Sequence, residues 1–475
     1  MNQKATNQSY DLIVVGTGFA STFFLLRFLE RNPKARVLVL ERGEVRDHSW
    51  HRRNYHKLIA QSKSSYINKT KGNKSWFSAL TFGGGSNCWW ACTPRFMPND
   101  FRMHSEYGVG TDWPLSYQDL EQYYSEAEEL MQIAGEASEI LPRSTPFPQP
   151  PHNLTEPDKL LKKAYPSEFI VQPTARARVA TKNRARCCAS GVCTNCPVDA
   201  KFTILNEMIT LYQNPNVTLL TGSTALSLEL QNKIAKGVLF IKDEKEYLAK
   251  GNLIALGANA IFNPHILLQS GIKHPKLGKG LNEQRSISYL FDLAGIDNFQ
   301  GSTSITGHGY MLYDGKHRAD HSACLIESYN IPELRPEENR WQQRLRMKFI
   351  FEELPQPENT VQIVESNKIK PKLTFTKYSD YSQRAIENLD SVLPKLLSPL
   401  PIERIVSTEE HSTENHIMGT TPMGNLKQES IVDSNLVHHD FRNLVVVGSS
   451  VFPTTPPANP TLTICALALL AADRL

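Results

Sequence analysis

Residues 11–26 read Asp11-Leu-Ile-Val-Val-Gly16-Thr-Gly18-Phe-Ala-Ser21-Thr-Phe-Phe-Leu-Leu26. The run at 11–15 is short, apolar and rich in β-branched residues, which predicts a buried strand. Gly16 makes a tight turn, and Gly18 lets the backbone approach a pyrophosphate at a helix N-terminus. Residues 22–31 then predict a helix that ends before Pro33. Residues 36–40 predict a second strand, closed by Glu41-Arg42-Gly43. Strand, glycine turn, helix, strand and acid form the βαβ dinucleotide fingerprint. Glu41 follows Gly18 by 23 residues, a distance at which it can accept hydrogen bonds from ribose hydroxyls. Ser21 takes the place of the third glycine. The motif alone does not separate NAD from FAD.

Outward from this unit, residues 216–220, 237–241 and 252–256 predict further strands. The last leads into Gly257-Ala-Asn-Ala260 and a helix at 264–270. Residues 443–447 predict a strand running into Gly448-Ser-Ser450, and 461–475 a terminal helix. The nucleotide domain is therefore expected to be assembled from separated pieces of chain. The Pro- and charge-rich stretches between them, at 140–180 and 290–425, carry amphipathic strands at 360–365 and 372–375. These suit a second domain with an antiparallel sheet.

Composition narrows the function class. With 475 residues, 40% hydrophobic and 21% charged, the chain is neither fibrous nor disordered. Its 52 basic and 48 acidic residues balance to +4, which argues against a nucleic-acid binder. The uncharged run at 443–472 is long enough to cross a bilayer, but Pro453, Pro456, Pro457 and Pro460 interrupt it. No transmembrane segment is expected. The apolar run at 12–26 follows Asp11 and contains a glycine turn, so it is read as strand–turn–helix rather than a signal peptide.

Several motifs then occur together: Phe82-Gly-Gly-Gly-Ser-Asn87, Gly257-Ala258 with Ser270-Gly271, and Glu353-Leu-Pro-Gln-Pro-Glu-Asn359. His416-Ile-Met-Gly-Thr420 and Gly448-Ser-Ser-Val-Phe-Pro453 with Asn459-Pro460 complete the set. In this order they resemble the glucose–methanol–choline (GMC) flavoprotein oxidoreductases from about Tyr10 to Leu475. A narrower likeness, to bacterial FAD-dependent glucose and gluconate dehydrogenases, rests on Arg95-Phe-Met-Pro-Asn-Asp-Phe101, Tyr107-Gly-Val-Gly-Thr-Asp-Trp-Pro114 and Tyr117-Gln-Asp-Leu-Glu-Gln-Tyr-Tyr124. A cysteine run at 187–196 adds to it.

The resemblance implies an α/β fold, with a discontinuous Rossmann-like FAD-binding domain and an α+β substrate domain built on an antiparallel sheet. The expected FAD-binding pieces are 10–100, 205–290 and 425–475. Residues 101–204 would form a helical and cysteine-bearing segment and part of the substrate domain, and 291–424 the substrate domain proper. FAD would be extended, with Gly84 and Asn87 near the pyrophosphate and isoalloxazine and Ala225 near the adenine. Gly16, Gly18, Ser21, Glu41, Arg42, Gly257, Gly448 and Ser449 complete the expected cofactor set. Where relatives often have Trp-His-Trp, this chain has Cys88-Trp89-Trp90, so FAD is expected to be non-covalent. The segment Gly278-Lys-Gly-Leu-Asn-Glu-Gln284 lacks the usual Asp-His, and the chain is short for the group, which implies a trimmed substrate domain.

Oxidising an alcohol with a flavin takes a proton from the hydroxyl and a hydride from the carbon, the latter being the cofactor's chemistry. The protein must supply a base with a pKa near neutrality, which favours histidine. His416 matches the family's base. Asn459, 43 residues later, matches its second polar group. His411, His438 and His439 lack such a context and are read as surface residues.

Four of the eight cysteines are Cys187, Cys188, Cys193 and Cys196. Thiolates select iron–sulfur clusters, zinc or copper(I), and a Cys-Pro pair closes many iron–sulfur runs. By resemblance, Cys187, Cys188 and Cys193 match the ligands of a [3Fe–4S] cluster. Cys196 would either complete a [4Fe–4S] site or pair in a disulfide. Structural thiols and zinc are the alternatives. Cys88 and Cys92 are read as packing against the flavin domain, and Cys324 and Cys465 as core.

Leu120, Tyr123, Tyr124 and Ala127 recur at helical spacing and predict a packing face. The basic residues Arg176, Arg178, Lys182, Arg184 and Arg186 are read as a solvated face, or a dock for an acidic acceptor. The overall expectation is an FAD-dependent dehydrogenase of a sugar, polyol or related alcohol. Its electrons would leave through the cluster to an external acceptor, possible carriers being a cytochrome or a small accessory subunit. The rivals are an oxygen-using oxidase with structural cysteines and a non-redox FAD lyase. A cytoplasmic location is expected, or a periplasmic or peripheral-membrane one if the chain is exported with a partner.

Overall fold

The computed structural model describes residues 9–70 and 74–475; the sequence reads as a polar tail at residues 1–9, of which all but Ser9 lie outside the described residues. Ser9–Val15 forms the first strand and Val37–Leu40 the second, paired in parallel. Every side chain of the second strand is buried, the pattern of a strand covered on both faces. The helix between them spans Phe19–Arg31, so it begins directly after Gly18 and three residues before the sequence expectation.

Val217–Leu220 pairs with the second strand, and Lys245–Leu256 lies on the other side of the first. Lys245–Leu256 is long enough to serve two neighbours. Its first half pairs antiparallel with Ile234–Lys242, and its last three residues run parallel to Leu444–Val446. Thr224–Gln231 forms the outer edge, giving a seven-stranded sheet. Its parallel strands come from the beginning, middle and end of the chain.

The terminal helix, Thr461–Asp473, packs against Phe19–Arg31 and Tyr117–Met131. It is apolar nearly all round and buried from Leu462 through Ala472, apart from Ile464. Burying one such leucine contributes about 1.5–3 kcal/mol. The uncharged C-terminal run is thus a buried strand, a turn and this core helix. Among the described residues no helix is long and apolar enough to cross a membrane. In Tyr117–Met131, Leu120, Tyr123, Tyr124 and Ala127 are all buried, and Ser116 caps the helix by accepting from the Asp119 backbone N–H.

A second sheet of six strands is ordered Ile402–Glu410, Arg285–Leu293, Arg344–Phe351, Cys324–Tyr329, Ile305–Leu312, Phe169–Val171, all antiparallel. Its core is separate from that of the first sheet and is closed by the helix Asp380–Leu396. A third, three-stranded sheet joins Thr360–Val364, Asn367–Thr374 and Ile67–Asn68.

A fully buried charged cluster lies beside the second sheet. Arg318 donates to Asp100 at 3.0 Å and to Glu352 at 2.8 Å, with all three side chains excluded from solvent. Tyr313 donates to Asp100 at 2.8 Å, and Tyr381 to Glu352 at 3.3 Å.

The basic stretch departs from its expectation as a solvated face. Arg176 and Arg184 are 1% and 2% exposed. The Arg184 guanidinium donates to Glu207, Ala175 O and Met131 O, so it is a core tie. Lys182 and Arg186 are exposed as read. His438 is also buried.

Candidate active site

The carboxyl ends of the parallel strands converge on one cavity of about 620 Å³. In open α/β sheets this edge is where ligands bind. Gly16 follows the first strand at φ +93°, and a Cβ there would stand 2.6 Å from Gly257 O. Only glycine satisfies both the left-handed backbone and that approach. A Cβ on Gly18 or Gly85 would meet nothing within 4 Å. At Gly18, which lines the cavity, the missing side chain leaves room against the helix N-terminus, the place a phosphate takes.

Glu41 ends the second strand and is held from two sides. Thr17 Oγ1 donates to Oε2 at 2.6 Å, and the Gly43 N–H to Oε1 at 2.7 Å. Burial pushes its carboxyl up to about 7, against the pull of these bonds and of Arg42. Arg42 stacks on Phe262, and its Nη1 is a buried donor without a partner.

His416 and Asn459 line the same cavity. His416 Nδ1 is 2.9 Å from Gln284 Oε1. Burial lowers its pKa, with Glu414 and Glu327 working against that and Lys348 adding to it. Its ring is therefore neutral near pH 7. Asn459 Nδ2 lies 3.5 Å from Glu327 Oε1, while its Oδ1 is buried without a partner. Tyr329 donates to the other oxygen of Glu327 at 2.8 Å. Lys348 Nζ is 2.9 Å from each carboxylate oxygen of Glu414. Glu327, Tyr329, Lys348 and Glu414 all line the cavity too.

Of the expected site residues, the structure brings Gly16, Gly18, Glu41, Arg42, Gly84, Ala225, Gly257, Gly448, Ser449, His416 and Asn459 to this one cavity. Ser21 and Asn87 stand behind it. Ser21 Oγ lies 3.3 Å from Val15 O and 3.4 Å from Gly257 O, fastening helix to strand where the third glycine of the motif packs. Asn87 Nδ2 donates to Phe82 O at 2.7 Å and to Gly84 O at 3.2 Å, shaping the glycine turn. His411, read as a surface residue, lines the cavity and pairs with Ser288 Oγ at 2.6 Å. Glu327, Lys348 and Gln284 were missed by sequence reasoning. Glu327 and Lys348 belong to no motif, and strand pairing brings them to the site, whereas Gln284 ends the segment 278–284 that was noted only for lacking Asp-His.

The cysteine run packs beside the cavity, whose wall includes Cys88, Cys92 and Thr194. Trp90 Nε1 donates to Thr194 Oγ1 at 2.9 Å. Lys201 Nζ, buried, donates to Asn87 O, Trp89 O and Cys193 O at 2.8–3.0 Å, which fastens the run to the wall. The four thiols do not converge. Cys188 is exposed, Cys187 Sγ lies 3.6 Å from Thr303 Oγ1, and Cys193 Sγ lies 3.3 Å from Ser304 Oγ. Cys196 Sγ accepts from the Ala200 N–H at 3.3 Å. All eight cysteines are unbridged, so the disulfide alternative for Cys196 has no counterpart here. Among the described residues no group of three or more His, Cys, Asp or Glu stands close enough to hold a metal ion. In this arrangement the run would hold a cluster only after its thiols turn toward one another. By contrast, the open glycines, the partnerless Arg42 Nη1 and the buried Glu41 fit a dinucleotide.

Two family models described as GMC oxidoreductase match residues 10–285 and 355–468. The chain belongs to the GMC oxidoreductase family. It is an FAD-dependent oxidoreductase of that fold. It is 25% identical to the fructose dehydrogenase large subunit of Gluconobacter japonicus, over 98% of this chain and 97% of that protein. It is 23% identical to the 6'''-hydroxyparomomycin C oxidase of Streptomyces lividus, over 98% and 92%. Among solved structures, pyridoxine 4-oxidase from Mesorbium loti matches with a TM-score of 0.69 at 17% identity, covering 98% of this chain and 99% of that one. Aspergillus oryzae formate oxidase matches at 0.67 and 14%, covering 98% of each. These likenesses show the shared fold.

Proposed function

We propose that this enzyme oxidises a CH–OH group of a sugar, polyol or related alcohol and passes the electrons to an external acceptor. The observation that carries this reading is a single cavity lined both by a dinucleotide cradle and by His416 and Asn459. Gly16, Gly18 and Gly84 would admit the pyrophosphate, Glu41 and Arg42 the adenosine ribose, and Gly448 and Ser449 the flavin. When bound, FAD supplies a hydride acceptor. His416, neutral near pH 7, takes the hydroxyl proton. The Asn459 amide holds the substrate oxygen, and Glu327, Glu414 and Lys348 offer hydrogen bonds to a multiply hydroxylated molecule. The names of the fructose and paromomycin relatives support a sugar or sugar-like substrate. With no histidine at Cys88-Trp89-Trp90, FAD is proposed to be non-covalent, so cold trichloroacetic acid should release all of it from the protein.

A Glu41 that titrates near 7 in the FAD-free protein makes cofactor binding pH-dependent. Ribose hydroxyls are best received by the carboxylate, and the proton is lost on binding. FAD affinity should therefore fall as pH drops below about 7, by up to tenfold per pH unit. Fluorescence titrations of FAD-free protein between pH 5 and 8 check this. Glu41→Gln should bind FAD weakly at every pH, and a flat wild-type profile would exclude the role.

A second reading takes the electrons out through an iron–sulfur cluster on Cys187, Cys188, Cys193 and Cys196. It is supported by their spacing and by the packing of the run against the cavity wall, and it requires the thiols to converge around the cluster. The fructose dehydrogenase relative is named a large subunit, which supports an accessory subunit or cytochrome as acceptor and leaves open export with that partner. Iron and acid-labile sulfide in anaerobically purified protein decide the matter. Their absence, together with peroxide formed at full turnover, would favour the oxygen-using alternative.

A further inference from the structure

Gln284 is 1% exposed and sits in the segment that joins the two halves of the proposed catalytic site. Its neighbour Asn282 pairs with Met418 in a β-bridge and donates from Nδ2 to Thr455 Oγ1 at 2.9 Å. Gln284 itself makes three bonds. Nε2 donates to Pro456 O at 2.8 Å and to Ala458 O at 3.0 Å, and Oε1 faces His416 Nδ1 at 2.9 Å.

This pattern fixes which way the amide lies. A glutamine amide has two N–H donors and one carbonyl acceptor. Both donors are taken by backbone carbonyls, which cannot donate in return. Turning the amide over would set its oxygen against those two carbonyl oxygens and leave both without a donor. The oxygen therefore faces the imidazole. Because an amide oxygen only accepts, the proton of that contact sits on Nδ1.

We propose that Gln284 is a positioning residue that holds His416 in the Nδ1-protonated tautomer and leaves Nε2 as the basic nitrogen. Through Ala458 the same amide also fixes the backbone just before Asn459, so one side chain sets the base and its amide partner together. The proposal rests on the reading of His416 as the base. The other charged groups about the ring are Glu414 on its own segment, and Glu327 and Lys348 on the neighbouring strands. Nδ1, the nitrogen that decides the tautomer, has its hydrogen bond to Gln284 Oε1.

Long-range 1H–15N spectra of the FAD-loaded protein, labelled with 15N-histidine, test the proposal without any substrate. Loss of one ring signal in His416→Asn assigns the residue. The wild-type neutral ring should be protonated at Nδ1. Gln284→Leu removes the amide acceptor and should lower the ratio of Nδ1–H to Nε2–H about tenfold, the worth of one net hydrogen bond. A merely structural glutamine would leave the ratio unchanged in Gln284→Leu, which would overturn the proposal. If Gln284→Leu does not accumulate as folded protein, the wild-type spectrum still decides, since a ring protonated at Nε2 overturns it alone. The base reading fails separately: His416→Ala reducing its flavin at the wild-type rate removes that reading and leaves the tautomer result standing.

Discussion

His416→Ala is expected to keep its FAD and to reduce it with a substrate alcohol roughly two to four orders of magnitude more slowly than wild type. That range is the usual worth of a positioned general base. The cofactor should be retained because the cradle at Gly16, Gly18, Glu41 and Arg42 is held by its own bonds, none of them to His416. The rate should fall because no neighbour can take over. Glu414 is engaged with Lys348 and Ser286, and Glu327 with Tyr329. Stopped-flow reduction under argon gives the rate, and the absorbance of released FAD gives the content. Reduction within a few-fold of wild type would remove His416 from the mechanism.

Arg318→Met is expected to lower folding stability by about 3–5 kcal/mol. Asp100 and Glu352 are fully buried and share this one guanidinium. Removing it strands two carboxylates that must then take up protons or draw in water. Burial already raises the Asp100 carboxyl to about 6, although Arg318 opposes the shift. Without the arginine the Asp100 carboxyl should titrate higher still. The variant should therefore lose most stability at neutral pH and recover part of it as pH falls towards 5. Denaturant melts of the FAD-loaded protein at pH 5 and 7.5 measure both effects. A loss below 1 kcal/mol at pH 7.5 would mean that the cluster is not held by Arg318. The triple variant Arg318→Met, Asp100→Asn, Glu352→Gln should recover much of the deficit, because it buries no uncompensated charge.

The sequence was most legible where local chemistry dictates local shape. Gly16 and Gly18 between two apolar runs sufficed for the first βαβ unit, and the four prolines after Phe452 correctly excluded a single spanning helix. The antiparallel sheet was harder to see. Arg285–Leu293 is buried at all nine positions, so it shows none of the alternation that marks a half-exposed strand. Ile402–Glu410 is exposed at nearly every position and reads as a polar loop, yet it pairs along the sheet edge. Charge misled in the basic stretch, where Arg176 and Arg184 resemble a solvated face until their burial and partners are seen. At the site, motifs pointed to His416 and Asn459, which touch the cavity directly. Gln284, Glu327 and Lys348 reach it only because distant segments pair, and no spacing rule encodes that. The cysteine run is the reverse case: close spacing in sequence does not make the thiols converge in space.

If this cavity oxidises an alcohol by handing a hydride to FAD, the most direct test is an anaerobic spectral titration of the FAD-loaded protein against a panel of sugars, polyols and simple alcohols, with product analysis. At least one class is expected to bleach the flavin, with one carbonyl product formed per flavin reduced. A flavin that stays oxidised with every member of the panel, or a substrate cleaved without bleaching, would contradict it.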